Sequence, residues 1–108
     1  MISIAHLENR FLKDPLPLRL GAVASDLARL SGLQPSVHNS IFQNVLTEVK
    51  LFTEWAAPDS GLEVQERLLD LQRALARGTS EEISKIAGQW ADQILGMSGL
   101  IPDKSARG

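Results

Sequence analysis

The stretch SVHNSIFQNVLTEVKLFTEWAA, Ser36 to Ala57, decides the fold. It is the longest run of the chain that has neither glycine nor proline and still keeps a helical period. On a wheel of 3.6 residues per turn, one broad side carries Ile41, Phe42, Val45, Leu46, Val49, Phe52 and Ala56. A smaller second side carries Val37, Leu51 and Trp55. A surface helix needs only one apolar side, so the pattern predicts a central helix with several neighbours, or one whose second side contacts a partner.

Helical periods also run through the part of the chain that precedes this stretch. Residues 3–13 fit a short amphipathic helix with Ser3 as its N-cap. The segment 15–31 follows Asp14, which we expect to cap it. Its leucines and valine recur at alternating spacings of four and three, and Gly32 stands just after its last turn.

Two more helices are predicted after the turn at 57–61. The segment 62–77 has a leucine seam on one face and charged residues on the other, acidic near its start and basic near its end, as the helix dipole favours. Thr79 and Glu82 have the spacing of a capping box, in which each side chain accepts a hydrogen bond from the backbone of the other residue. An apolar face continues from there to Met97.

These elements predict one all-α domain over residues 1–108, with a loose tail at 103–108. No strand period and no internal repeat is present in the sequence. Four long helices joined by short connections favour antiparallel neighbours. We therefore predict an antiparallel four-helix bundle-like domain with a short extra N-terminal helix.

Composition excludes several classes of function. The net charge of −2 gives no basic excess for nucleic-acid binding. The absence of cysteine excludes disulfides, thiolate metal sites and a cysteine nucleophile. The N-terminus lacks a secretory signal pattern, and no run approaches the roughly 20 apolar residues of a membrane span. We expect a cytoplasmic protein that binds neither nucleic acid nor membrane.

Three blocks of the chain carry a resemblance. They are Leu16–Gly21 with Leu27–Leu30, then Phe52–Pro58, and finally Met97–Leu100. Together they are similar to a group of small cyanobacterial all-helical proteins of unknown function. The resemblance implies a bacterial cytosolic setting and no particular activity.

The sequence offers no metal or cofactor site. A di-iron bundle needs Glu-x-x-His on two helices, and no glutamate of this chain has a histidine three residues later. His6 and His38 are the only histidines, and each stands alone as a predicted exposed or capping residue. We expect no bound metal and assign no cofactor.

Acid–base and nucleophilic chemistry are equally unsupported. Glu63, Glu66 and Asp70 share a helix face, but arginines lie three or four residues from Glu63 and from Asp70, so a solvated ion-paired face is the better interpretation. No histidine is spaced to activate a serine, and no glycine-rich phosphate loop is present. We assign no catalytic residue and expect that the protein is not an enzyme.

The segment 79–95 superficially resembles a helix-turn-helix. Its would-be recognition helix, 89–95, has an acidic residue and neither lysine nor arginine, whereas phosphate binding needs basic side chains. We predict instead one continuous helix with Gly88 inside it. A glycine there costs up to ~1 kcal/mol relative to alanine, and a close helix crossing is the expected compensation.

The tryptophans separate two hypotheses about function. Trp90 lies within an apolar face and is predicted to be core, whereas Trp55 lies with Leu51 on the second side of its helix. That pair is core against a second neighbour or the centre of a partner surface, because aromatic residues concentrate at binding hot spots. We expect a protein–protein interaction or adaptor module, with homodimerisation open, and Leu51 and Trp55 as its partner-binding residues. The alternative is a bundle that binds a small molecule or cofactor, with an enzymatic or regulatory role.

Overall fold

The computed structural model describes residues 3–100, and the predicted tail at 103–108 lies outside this range. Within residues 3–100 the chain forms helices and no strand, which confirms the all-α prediction. The α-helices are α1 (Ile4–Lys13), α2 (Leu16–Ser31), α3 (Asn39–Ala56), α4 (Leu62–Arg77) and α5 (Ser80–Ser98). A short 3₁₀ helix, Ala57–Asp59, joins α3 to the turn that precedes α4.

Local hydrogen bonds explain most of the helix ends. The Ser3 hydroxyl accepts from the His6 backbone N–H at 3.1 Å and caps α1. At the start of α5, the Glu82 N–H donates to the Thr79 hydroxyl at 3.2 Å, and the Thr79 N–H donates to the Glu82 carboxylate at 2.9 Å. The predicted capping box is therefore confirmed.

One predicted helix cap was wrong. Asp14 ends α1 instead of capping α2, whose N-cap is Pro15 without a side-chain hydrogen bond. The organising helix starts at Asn39, after a turn at residues 35–37 in which the Val37 N–H donates to the Gln34 carbonyl.

The helices share one apolar core. α2 packs against both α3 and α5, whereas α3 also contacts α1 and α4. The central helix α3 thus has neighbours on more than one side, as its two apolar sides predict. The largest fully buried side chains come from four helices: Leu20, Leu27 and Leu30 of α2, Phe42 of α3, Leu68 and Leu71 of α4, and Ile83 and Ile94 of α5.

Helices α2 and α5 make the most extensive contact of the fold. Both helices bury small residues, among them Ala24 of α2 and Ala87 and Ala91 of α5. α5 continues through Gly88 without a break, so the helix-turn-helix geometry is absent. A Cβ built on Gly88 would lie 3.6 Å from the Ser31 Cβ, an ordinary van der Waals distance. The crossing is close, but it leaves room for a methyl group.

One side of α3 is more exposed than its apolar pattern predicts. Ile41 belongs to the broad apolar side of the helix, yet half of its surface is exposed. It lies at the margin where the two apolar sides of α3 meet, next to Glu48 and Trp55, because these residues recur every two helical turns. α1 covers this margin where Phe11 packs against Trp55 and Phe52. Ile41, near the start of α3, and Val37, in the turn before it, have no such cover among residues 3–100, and Val37 is also exposed.

Candidate functional site

The candidate site is an open groove of about 380 Å³ between α1, α2 and α3. The short helix α1 makes one wall, and its only buried residue is Phe11. Residues from all three helices line the groove, namely Leu7, Arg10, Phe11, Lys13, Asp14, Ala22 and Phe52. We call this feature the α1–α3 groove.

Three aromatic rings hold α1 in place and form the apolar part of the groove. Phe11 stacks on Phe52 with ring centroids 4.4 Å apart and an angle of 16° between the planes. Trp55 is tilted against both rings, at 5.9 Å from Phe11 and 6.0 Å from Phe52. Aromatic pairs at these separations contribute about 0.5–1.5 kcal/mol each beyond the area that they bury. α1 is therefore anchored mainly by one cluster of rings.

The structure brings one of the two predicted partner-binding residues to this cluster. Trp55 is half-buried and packs beside the groove, so part of its surface is core and part is accessible. Leu51, one turn earlier on α3, is also half-buried, but it is not among the residues that pack against the core cluster. A partner-binding role of the pair stays a prediction.

Charged side chains form the rim of the groove. Arg10 and Lys13 lie in the last turn of α1, where the helix dipole favours positive charge, and both are exposed. Asp14 follows them, and its backbone carbonyl accepts a hydrogen bond from the Arg19 Nε at 2.9 Å. The α1 side of the groove thus presents two cations above an apolar surface.

One helical turn from two of the residues that line the groove lies a pair of carboxylic acids that the sequence analysis did not identify. Asp26 of α2 lies one turn after Ala22, and Glu48 of α3 lies one turn before Phe52. Asp26 is buried, with only 8% of its side chain exposed, whereas Glu48 is half-buried. Within residues 3–100, no hydrogen-bond donor reaches the buried Asp26 Oδ2.

The electrostatics of this carboxyl pair are unusual. Burial, together with the hydrogen-bonding contact and negative charge of Glu48, raises the pKa of Asp26 to about 7. Arg29 acts in the opposite direction, but it is largely exposed and its Nη1 lies 3.5 Å from Asp26 Oδ1. Near neutral pH a large fraction of Asp26 therefore holds a proton, because burial and the facing carboxylate both disfavour its charged form.

A sequence signal for Asp26 did exist. It stands between Ala22 and Leu30 at helical spacing, at the margin of the apolar face of α2, where a solvated charge is not expected. Its partner Glu48 occupies the corresponding margin of α3. The contact between them depends on how α2 and α3 are rotated against each other, which the sequence pattern does not specify.

The other charged clusters have structural roles. Arg19 is buried and joins α2 to the 3₁₀ helix through a 2.8 Å ion pair with Asp59. On α4, Arg67 donates to Asp70 at 3.1 Å, and its guanidinium lies 4.9 Å from the ring centroid of Trp90. Arg73 also pairs with Asp70 at 3.7 Å, so this carboxylate belongs to an ion-paired face as predicted.

The two histidines, which the sequence predicts to stand alone, belong to none of these ion-paired clusters within residues 3–100. His6 and His38 are both exposed. In the part of the chain that the structure describes, no three histidine, cysteine, aspartate or glutamate residues lie together as metal ligands. None of the helices within residues 3–100 combines the length and apolar character that a membrane span requires.

Comparison with known proteins adds no functional information. No family model, no curated protein and no solved structure matches this chain.

Proposed function

We propose that the protein is a small interaction module that binds an amphipathic helical segment of a partner protein in the α1–α3 groove. The observation that carries the proposal is an open groove whose apolar surface includes Leu7, Phe11 and Phe52. Its rim carries two basic residues, Arg10 and Lys13, and one acidic residue, Asp14. Amphipathic helices are bound in this way, with apolar anchors in the groove and charged residues at its edge.

The residues that form the groove indicate which side chains the bound segment should carry. Its apolar anchor packs against Phe11 and Phe52, and Trp55 supplies the accessible aromatic surface beside them. Arg10 and Lys13 favour acidic residues next to that anchor. The uncovered side of α3 towards Ile41 offers further apolar surface along the same line.

The proposal also includes the arrangement of the five α-helices. We infer that α2 to α5 close as an antiparallel four-helix bundle, with α1 as the extra helix laid across α2 and α3. The sequential contacts of α2 with α3, α3 with α4, α4 with α5 and α5 with α2 support this arrangement. The cytoplasmic location, the bacterial origin implied by the resemblance, and homodimerisation are parts of the proposal that rest on the sequence alone.

Site-specific photocrosslinking tests the function. A benzophenone amino acid replaces Lys13 at the rim of the groove and, as the matched control, Arg77 at the exposed end of α4. We expect the probe at position 13 alone to crosslink, and the captured segment to be amphipathic with acidic residues beside its apolar anchor. Substitution of Arg10→Glu in the same chain then weakens capture. Equal crosslinking from both positions, or capture that is insensitive to Arg10→Glu, contradicts the proposal.

A small-molecule site is the second candidate. The groove volume of about 380 Å³ lies within the range of known ligand pockets, roughly 300–1,000 Å³. Native mass spectrometry of the purified protein separates the candidates. A retained mass of a few hundred daltons that Arg10→Glu abolishes favours a ligand, and a doubled mass identifies a second copy of the chain as the occupant.

A further inference from the structure

We propose that Asp26 and Glu48 form a subsite of the α1–α3 groove that binds the cationic side chain of a lysine or arginine on the docked segment. This inference rests on the proposed function and identifies a second feature of the partner. The partner would then carry an acidic residue that faces Arg10 and Lys13, an apolar anchor, and a basic residue one helical turn from that anchor on the other side.

The first argument is the unsatisfied hydrogen-bonding capacity of the pair. The Asp26 side chain is more than nine-tenths buried, and no donor among residues 3–100 reaches its Oδ2. Glu48 is the group in contact with it from α3, and when Asp26 has lost its proton neither carboxylate has a hydrogen bond to donate to the other. A lysine ammonium or an arginine guanidinium supplies several donors and no acceptor, so it fits two facing carboxylates.

The second argument is the position of the pair. Ala22 and Asp26 lie on the same face of α2, as do Phe52 and Glu48 on α3, because each pair is separated by four residues. Ala22 and Phe52 line the groove itself. A helix seated on them therefore places a residue three or four positions from its anchor beside the carboxyl pair. Glu48 is the half-buried member, and it forms the accessible side of the subsite.

Binding of a cation has a consequence for the proton on the pair. In the free protein, a large fraction of Asp26 holds a proton near neutral pH, and Arg29 is the nearby cation. An arriving ammonium group replaces this proton between the oxygens of Asp26 and Glu48, and the proton leaves to solvent. The bound cation then offsets the negative charge that the loss of the proton leaves on Asp26. Affinity for a cation therefore increases as pH rises from 6 to 8.

Two small probes of equal chain length test the subsite. Octylammonium and neutral octanol are titrated into the full chain, and binding is followed by backbone amide chemical shifts in nuclear magnetic resonance. We expect both probes to shift the amides of Phe11 and Phe52, with octylammonium bound roughly 10-fold more tightly at pH 8, as a charge-assisted hydrogen bond allows. Asp26→Asn should remove this advantage and leave octanol binding unchanged.

The control and the pH dependence separate a binding role from a structural one. Asp70→Asn removes a half-exposed, ion-paired carboxylate on α4, outside the groove, and should leave both titrations as in the unmodified chain. Octylammonium affinity should rise between pH 6 and 8 in the unmodified chain and stay flat in Asp26→Asn. Glu48→Gln provides a second variant on the accessible side.

Failure of the subsite and failure of the groove give different results. If octylammonium binds the groove equally well in Asp26→Asn, the cation subsite is wrong while the groove proposal stands. If neither probe shifts the amides around Phe11 and Phe52, the groove itself does not bind apolar ligands, and both proposals fall.

Discussion

At the scale of single residues, the burial of Asp26 favours the protonated form of its carboxyl group. Its carboxyl group lies between α2 and α3, faces Glu48 and has one oxygen without a donor in the described part of the chain. A carboxylate in such a place is costly when ionised. The protein can relieve this cost by holding a proton or by accepting a cation.

The raised pKa of Asp26 predicts a pH-dependent stability. The pKa of Asp26 is about 7 in the folded protein, whereas the ordinary value for aspartate is 3.8. At pH values between these two, the folded chain holds a proton that the unfolded chain has released. The free energy of unfolding therefore falls as pH rises from about 4 to about 8, and Asp26 contributes roughly 1–3 kcal/mol to this fall. Urea denaturation at several pH values measures the slope.

Asp26→Asn is the matched variant for that slope. An amide has the shape of the carboxyl group and does not ionise, so the variant should be more stable than the unmodified chain at pH 8 and nearly equal to it at pH 4. Parallel pH profiles for the two proteins would show that Asp26 titrates normally.

Gly88 offers a second prediction at the same scale. A methyl group at this position would contact the Ser31 Cβ at 3.6 Å without a clash. Gly88→Ala should therefore stabilise the fold by about 0.5–1 kcal/mol through helix propensity, and thermal denaturation measures the gain. Gly96→Ala is the control, because it lies in the same helix with no atom within 4 Å of its Cβ, and it should also stabilise the fold. A loss of stability at Gly88 alone would contradict the packing argument.

At the scale of elements, α1 depends on a single buried side chain. Phe11 is its only buried residue, and it connects α1 to α3 through Phe52 and Trp55. The exposed Ile4 and Leu12 show that the remaining apolar residues of α1 contribute less burial. α1 is thus the helix most easily separated from the rest of the fold.

Phe11→Ala should detach α1 while the other helices persist. The lost ring costs at most about 3–5 kcal/mol, as for a large aromatic residue truncated in a core. We expect amide hydrogen exchange to become fast in residues 4–13 and to stay slow in α2 and α5. Leu12→Ala, at an exposed position of the same helix, should leave exchange unchanged. Fast exchange throughout the chain in Phe11→Ala would show that α1 is part of one cooperative unit.

At the scale of the whole molecule, the buried core joins α2, α3, α4 and α5. Val45 lies in the middle of the broad side of α3, and only 4% of it is exposed. Its neighbour Asn44 points to solvent. Introducing an aspartate at each of these two adjacent positions separates the effect of adding a charge from the effect of burying it.

Val45→Asp should unfold the protein or lower its stability by about 3–5 kcal/mol, because it buries an unpaired charge in the shared core. Circular dichroism during heating should then show a transition shifted strongly downwards and still helical at its start. Asn44→Asp adds the same charge at an exposed site and should change stability by at most about 0.5 kcal/mol. Similar melting temperatures for the two variants would mean that the core is placed wrongly.

The sequence by itself determined the helices of this protein and most of their ends. Helical periodicity, the Thr79–Glu82 capping box and the alternation of leucines are local, since each involves residues within one or two turns of the same segment. Because these features are local, they could be predicted from the sequence, and the structure confirms them. The error at Asp14 arose because this residue ends α1, where its backbone N–H donates to the Phe11 carbonyl, and does not cap the next helix.

Only the tertiary structure decided which helix margins meet and which stay open. The pairing of Asp26 with Glu48, the accessible part of Trp55 and the exposure of Ile41 all depend on the rotation and axial offset between helices. Those quantities result from the summed packing of many side chains from distant segments, so no single stretch encodes them. The candidate site lies at such margins, which is why the helices could be read from the sequence and the groove could not.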